Sequence, residues 1–192
     1  MSLVLTSGPS VEPITLAEAK AHLRVEQTAE DALIGSLIIT SRLHIETALG
    51  LALITQGWSY FIDRWPKSRD IILPLRPVQA INAIRIYADD TTYVTLPAGT
   101  FALDGAGLPA RVVRTASATP SNPARASGGI EFALTAGFGA TPAAVPAPIR
   151  QALLLLVAHW FEHRDPIEIG SAETRIPAVV SDLLAPYKPV RL

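Results

Sequence analysis

The spacing of apolar residues changes twice along the chain, and this change constrains the fold more than any other feature. Between about residues 29 and 49, apolar residues recur at three- and four-residue steps, as on one face of a helix. From Thr55 to Ala136 the spacing becomes two, as on one face of a β-strand. Helical spacing returns at Ile149. The sequence therefore predicts an α+β fold in which an antiparallel β region is inserted into a small helical bundle.

Four helices are predicted for that bundle. Thr15 and Glu18 have the spacing of a capping box, which starts a short first helix. A longer second helix covers about residues 29–49. A central helix begins at Ile149 and is apolar around most of its circumference, and a last short helix covers about residues 177–185.

The length of 192 residues is that of a single domain. The helical body is predicted at about 14–53 and 146–186, with the inserted β lobe at about 54–137. An extended C-terminal arm follows at 187–192, because two prolines in the tail oppose a helix. Residues 116–129 are polar and interrupted by proline, which predicts a mobile loop that projects from the sheet.

Composition excludes several classes of protein. Hydrophobic residues make up 49% of the chain and charged residues only 17%, which excludes a disordered protein and indicates apolar surface beyond one core. The net charge of -1 provides no general attraction for DNA or anionic lipid. The absence of cysteine excludes disulfides and thiol chemistry. The start lacks a signal peptide and the longest apolar run is short, so we expect a soluble protein made in a cytoplasm.

One segment matches an enzymatic motif. His159 to His163 reads H-x-x-E-H, in which two histidines one helical turn apart bind zinc and the glutamate is the base. A third ligand would have to come from Glu168 or Glu173. Histidines at a helix end without metal are the favoured interpretation, because a five-residue pattern recurs by chance. We therefore predict no enzyme, no metal, no cofactor and no catalytic residue, with a zinc-dependent hydrolase as the alternative.

A second alternative is a weak nucleic-acid-binding module. Basic and aromatic residues interleave around one strand turn, a pattern that suits single-stranded nucleic acid. They are Arg64, Lys67, Arg69, Arg76, Trp58, Tyr60 and Trp65. A solvated loop edge that also carries Asp63 and Asp70 is the favoured interpretation. No phosphate-binding glycine loop and no G-x-S-x-G turn is present in the sequence.

The order and spacing of several stretches resemble the head-tail connector family of tailed bacteriophages, prophages and gene transfer agents, also called adaptor or head-completion proteins. The resemblance spans nearly the whole chain. The stretches are Leu16 to Lys20, Leu23 to Val25, Glu30-Asp31, Pro74 to Val78, Ala136 to Gly139, Val145 to Ala152, Ala158 to Glu162 and Leu183 to Tyr187.

The resemblance implies a structural virion protein that forms a ring under the portal and continues the DNA channel. Its implied partners are the portal protein, a stopper or tail-completion protein, and further copies of itself, commonly twelve when assembled. The sequence leaves open whether the free chain is a monomer. DNA would pass through the channel without specific binding. The chain would be made in the bacterial cytoplasm and assembled at the portal vertex.

The extended arm is the predicted portal contact, because an extended segment can add to a partner's surface without distorting the ring. Its residues are Tyr187, Lys188, Pro189, Val190, Arg191 and Leu192.

Overall fold

The computed structural model describes residues 1–105, 109–115, 120–163 and 176–188. The chain forms two compact units. The sheet unit consists of Met1–Ser10 and Gly50–Phe138, and the helical unit consists of Val11–Leu49 and Gly139–Leu192. The predicted α+β class is confirmed.

The helical unit contains α1 (Leu16–Leu23), α2 (Asp31–Leu49), α3 (Ala147–Glu162) and α4 (Ala178–Leu184). All four predicted helices are present close to their predicted boundaries. The third helix, α3, contacts each of the other three, which makes it the centre of the unit. Its fully buried side chains are Ile149, Ala152, Leu153, Leu156 and Val157.

Local capping explains where α1 begins and where α2 ends. The hydroxyl of Thr15 accepts the backbone N–H of Glu18 at 3.1 Å, and the Glu18 carboxylate accepts the backbone N–H of Thr15 at 2.7 Å. These two bonds are the predicted capping box, and they satisfy donors that a helix start leaves unpaired. Gly50 follows α2 with φ of +63°, a conformation that favours glycine, so the helix ends there.

The sheet unit contains two antiparallel sheets. The larger has the strand order β1-β2-β8-β4-β5, and the smaller has the order β3-β7-β6. The strands are β1 (Ser2–Ser7), β2 (Gln56–Ile62), β3 (Asp70–Ile72), β4 (Val78–Tyr87), β5 (Tyr93–Thr95), β6 (Phe101–Asp104), β7 (Arg111–Arg114) and β8 (Ile130–Ala136).

Alternating residues of the central strands form the core of this unit. Ile130, Phe132 and Leu134 of β8 are almost fully buried and pack with Tyr60 of β2. The smaller sheet adds Val112 to the same cluster. The period of two in the sequence therefore identified the buried face of the main strands correctly.

The predicted loop at 116–129 does not project free of the sheet over residues 120–129, which are hydrogen-bonded to the sheet unit; residues 116–119 lie outside the described part of the chain. The Trp65 indole N–H donates to the carbonyl of Ser121 at 2.9 Å. The N–H of Gly128 donates to the Asp63 carboxylate at 2.7 Å. Polar loops can be held by such bonds without an apolar core, and composition does not reveal them.

Candidate assembly surfaces

The charged side chains in the middle of α2 point into the helical unit. The Arg42 guanidinium donates from Nε to Glu12 Oε2 at 2.8 Å and from Nη1 to Glu46 Oε2 at 2.8 Å. The side chains of Arg42 and Glu46 are each only 8% exposed. Burial alone would lower the pKa of Arg42, but its bonds and charge contacts with Glu12 and Glu46 outweigh burial and raise that pKa. The guanidinium therefore stays ionised inside the unit.

The outward positions of α2 carry no Asp, Glu, Lys or Arg. They are Ala32, Ser36, Ile39, Thr40, Leu43, His44, Thr47 and Ala48. The two large apolar side chains among them, Ile39 and Leu43, are 44% and 48% exposed. We call these positions the outer face of α2. A surface helix usually turns its charged residues outward, so this helix has the reverse arrangement.

Sequence reasoning missed the outer face of α2, although a signal was present. Arg42 and Glu46 are four residues apart, on the stripe that also carries Ile38, Ile45 and Leu49. Ile39 and Leu43 are also four residues apart but lie beside that stripe. Two charges within an apolar stripe indicate a buried ion pair and an uncharged opposite face.

The start of the predicted arm is defined by the end of α4. A 3-10 turn over Ala185–Tyr187 follows the helix, and Lys188 then has the extended values φ -69° and ψ 140°. Extended backbone thus begins at Lys188, one residue later than predicted, because Pro186 is tolerated within a first helical turn. Pro189, Val190, Arg191 and Leu192 lie outside the described residues.

The sequence profile of the head completion protein family matches residues 12–188. This chain belongs to the head completion protein family. Its predicted role as a structural protein that connects the head and tail of a phage-like particle is thereby confirmed. No curated protein matches the sequence.

Solved structures of gene transfer agent (GTA) particles contain chains similar to this head completion protein. A chain of the neck of an empty GTA particle, computed with C6 symmetry, is 27% identical with a TM-score of 0.83. One from the virion of a native GTA is 26% identical with a TM-score of 0.84. One from the neck of a native GTA particle, computed with C12 symmetry, is 27% identical with a TM-score of 0.80. Each match covers 100% of this chain and 97% of the other.

The H-x-x-E-H segment lies at the end of α3 in this head completion protein. His163 follows the helix with φ -106° and ψ 68°, and its Nδ1 lies 2.8 Å from the carbonyl oxygen of His159. Glu168 and Glu173, the candidate third ligands, lie outside the described residues. Within the described ranges, no three His, Asp or Glu side chains come together as metal ligands. The geometry therefore gives the hydrolase alternative no support.

The aromatic residues of the nucleic-acid alternative belong to the core of the sheet unit. Tyr60 is 6% exposed. Trp65 stacks on Phe101 with ring centroids 5.3 Å apart and meets Phe132 edge to face. Rings that are packed in this way have little free face for base stacking, so the geometry gives the nucleic-acid alternative no support.

A buried carboxylate ties together three strands of the larger sheet. Glu131 accepts the hydroxyl of Ser59 at 2.5 Å, the guanidinium of Arg85 at 3.0 Å and the hydroxyl of Tyr87 at 2.8 Å. Burial alone would raise the pKa of Glu131, but these three donors outweigh it and lower that pKa below its ordinary value. The ionised carboxylate accepts bonds from all three donors, and we assign it a structural role in joining β2, β4 and β8.

Proposed function

We propose that this head completion protein forms a ring of twelve copies in the neck of a phage-like particle, below the portal. The observation that carries the proposal is the likeness along the whole chain to subunits of GTA necks. The C12 symmetry of one of those necks supports twelve copies. A closed ring of identical chains needs two different complementary patches on each chain.

The two compact units act together as one adaptor domain in this proposal. Copies assemble on the portal at the portal vertex and present the surface on which a stopper or tail-completion protein binds. The chain is made in the bacterial cytoplasm before assembly. It catalyses no reaction, since its role is to join particle components mechanically.

The ring also continues the DNA channel, and the charge of the chain is compatible with that role. With 16 Lys and Arg against 17 Asp and Glu, the net charge is -1. A strongly basic lining would hold the phosphates of DNA, whereas a nearly neutral chain lets the duplex pass. We expect purified protein to bind duplex DNA weakly and without sequence preference at physiological salt.

The arm at 187–192 is the proposed portal contact. Lys188, the last described residue, is exposed and has extended backbone immediately after the 3-10 turn that closes the helical unit. The prolines of the tail predict that this conformation continues. A segment of this kind can lie along a partner's surface and form backbone hydrogen bonds there. Its two cations, Lys188 and Arg191, can add ion pairs with acidic residues of the portal.

Binding to heads tests the ring proposal. Purified protein is mixed with DNA-filled heads that lack their connector, and the portal vertex is imaged by electron microscopy. We expect a new ring of density with twelvefold symmetry at that vertex. No density with folded protein and intact heads, or density elsewhere on the head, would contradict the proposal.

Truncation tests the role of the arm. Removal of residues 188–192, which keeps Tyr187 and the 3-10 turn intact, should abolish binding to heads while the melting temperature (Tm) of the free protein changes little. A matched control replaces the same five residues, 188–192, with glycine and serine, which keeps the length and removes the side-chain chemistry. Normal head binding by the truncated protein would show that the portal contact lies elsewhere.

A further inference from the structure

The outer face of α2 is suited to burial against another protein. Its charged neighbours Arg42 and Glu46 already have partners inside the helical unit. The exposed apolar area of Ile39 and Leu43 lies on the side that would otherwise be solvated. Covering this face therefore removes apolar surface from water and leaves no ion without a partner.

The polar groups on the same face add to this property. The hydroxyl of Thr40 donates to the carbonyl of Ser36 at 2.8 Å, and the hydroxyl of Ser36 donates to the carbonyl of Leu33 at 2.8 Å. Both hydroxyl protons are thus satisfied by the helix's own backbone. A polar group that already has a hydrogen bond costs much less to bury than one that loses its bond to water.

We infer that the outer face of α2 is the contact with a neighbouring copy of this chain in the ring. The inference rests on the proposed ring, because the C12 and C6 symmetry of the similar necks requires contacts between copies. In a closed ring, each contact joins two different surfaces, one from each copy. The outer face of α2 therefore meets a surface of the next copy other than that copy's own α2. The arm is the proposed portal contact, so a stopper or tail-completion protein is the other candidate for this face, and the crosslinking test below separates it from a neighbouring copy.

The chemistry of the face argues against two other occupants. DNA is recognised through its phosphates, and the outer face carries no lysine or arginine to meet them. A bilayer is a second candidate, since α2 is long and apolar enough to cross one by length and composition alone. However, α2 packs against α1 and α3, and it holds the Arg42 and Glu46 ion pair within the unit. These contacts are those of a core helix of the unit.

The size of the face explains why assembly would need the portal. An α-helix of 19 residues is about 28 Å long, and a stripe about 10 Å wide along it covers roughly 300 Å². A stable pair of proteins buries about 800 Å² on each partner. The α2 contact alone is too small to hold two free copies together. Copies that the portal holds side by side would form the α2 contact. The free chain would then be a monomer, and the ring would form only after docking on the portal.

Site-specific crosslinking identifies the occupant of the face. The chain has no cysteine, so Leu43→Cys provides a unique attachment point for a benzophenone maleimide. A minority of labelled copies is mixed with wild-type protein, bound to connector-free heads and irradiated. We expect a product of twice the mass of the chain on a denaturing gel. The control is Ile72→Cys on β3, an apolar position that is 60% exposed in the sheet unit, and it should give no such product.

Two measurements separate this inference from the proposed ring. Electron microscopy of the unlabelled wild-type sample establishes whether a ring is present. If a ring is present but Leu43→Cys crosslinks only to a different particle protein, to DNA, to lipid or within its own chain, the inference is overturned and the ring stands. If no ring is present on the wild-type sample, the proposed function is overturned, and with it the inference that rests on the ring.

A second variant tests the same contact without a label. Leu43→Glu places a charge on the outer face and should strongly reduce ring density on heads, while the Tm of the free protein stays nearly unchanged because the position is exposed. Ile72→Glu is the matched control and should leave the ring intact. Normal ring density with Leu43→Glu would overturn the inference.

Discussion

Replacement of Arg42 by methionine tests the buried ion network of α2. In the native protein, Arg42 lies between Glu12 and Glu46 with only 8% of its side chain exposed. Methionine fills much of the same space but removes the Arg42 cation from beside the Glu46 carboxylate, which is also only 8% exposed. Removal of one member of a buried ion pair costs about 3–5 kcal/mol of unfolding free energy. For a chain of this length, the corresponding fall in Tm is roughly 6–20 °C.

Urea unfolding followed by far-ultraviolet circular dichroism measures the loss, because the affected network lies among the helices. The double variant Arg42→Met, Glu46→Met removes the stranded charge as well. We expect it to recover most of the lost free energy, since an apolar pair often replaces a buried ion pair at little cost. The Glu12 side chain can be hydrated in both variants, because it is 29% exposed.

Arg111 offers a matched control in the sheet unit. It also bridges two carboxylates, those of Asp70 and Asp104, but its side chain is 47% exposed. Arg111→Met should therefore leave the unfolding curve nearly unchanged, because exposed ion pairs contribute little. Equal effects of Arg42→Met and Arg111→Met, or a double variant at positions 42 and 46 no more stable than the single one, would refute the reasoning.

Two further predictions concern the sheet unit. The three donors to Glu131 hold its pKa below the ordinary value of 4.5. The ionised carboxylate therefore stabilises the native state at pH values above 4.5, and this stabilisation is lost as the pH falls through the lower native pKa. An acid titration of Tm should therefore show a smaller decline for Glu131→Gln than for the wild type, and identical curves would contradict this. Gly137→Ala should lower the free energy of unfolding in urea by about 1–3 kcal/mol, because φ is +139° and a Cβ would lie 2.6 Å from the backbone of Ile54. Gly35→Ala, where a Cβ meets open space in α2, is the control and should be neutral or stabilising; similar losses for both would refute the steric argument.

The order of structural elements was readable from the sequence because helix and strand periods are local. The capping box at Thr15 and Glu18 involves residues three apart, and the core of β8 follows from alternation within a few residues. The family resemblance was readable as well, since it rests on the order of such local signals. The prolines of the tail also placed the end of the helical unit within one residue, whereas the arm beyond Lys188 and its contact with the portal stay predictions.

Other features depend on residues that are distant in the chain. The first strand, β1, was not predicted, because its pairing partner β2 lies far along the sequence and no turn joins them: Leu3 pairs with Tyr60. The segment 120–129 was expected to be mobile, but Asp63, Trp65 and the backbone of Tyr87 hold it. Its composition gives no sign of these acceptors and donors.

The sequence by itself determined the α+β class, the positions of the four helices and the uncharged character of most of α2. Only the tertiary structure supplied the distant partner that lets Arg42 lie on the buried side of α2. Arg42 can be buried there because Glu12, thirty residues earlier, meets it at 2.8 Å. An ion is buried only where folding brings it a partner, and that partner is set by the packing of the whole unit. The outer face without acidic or basic residues, on which we propose that the ring closes, is a consequence of that packing.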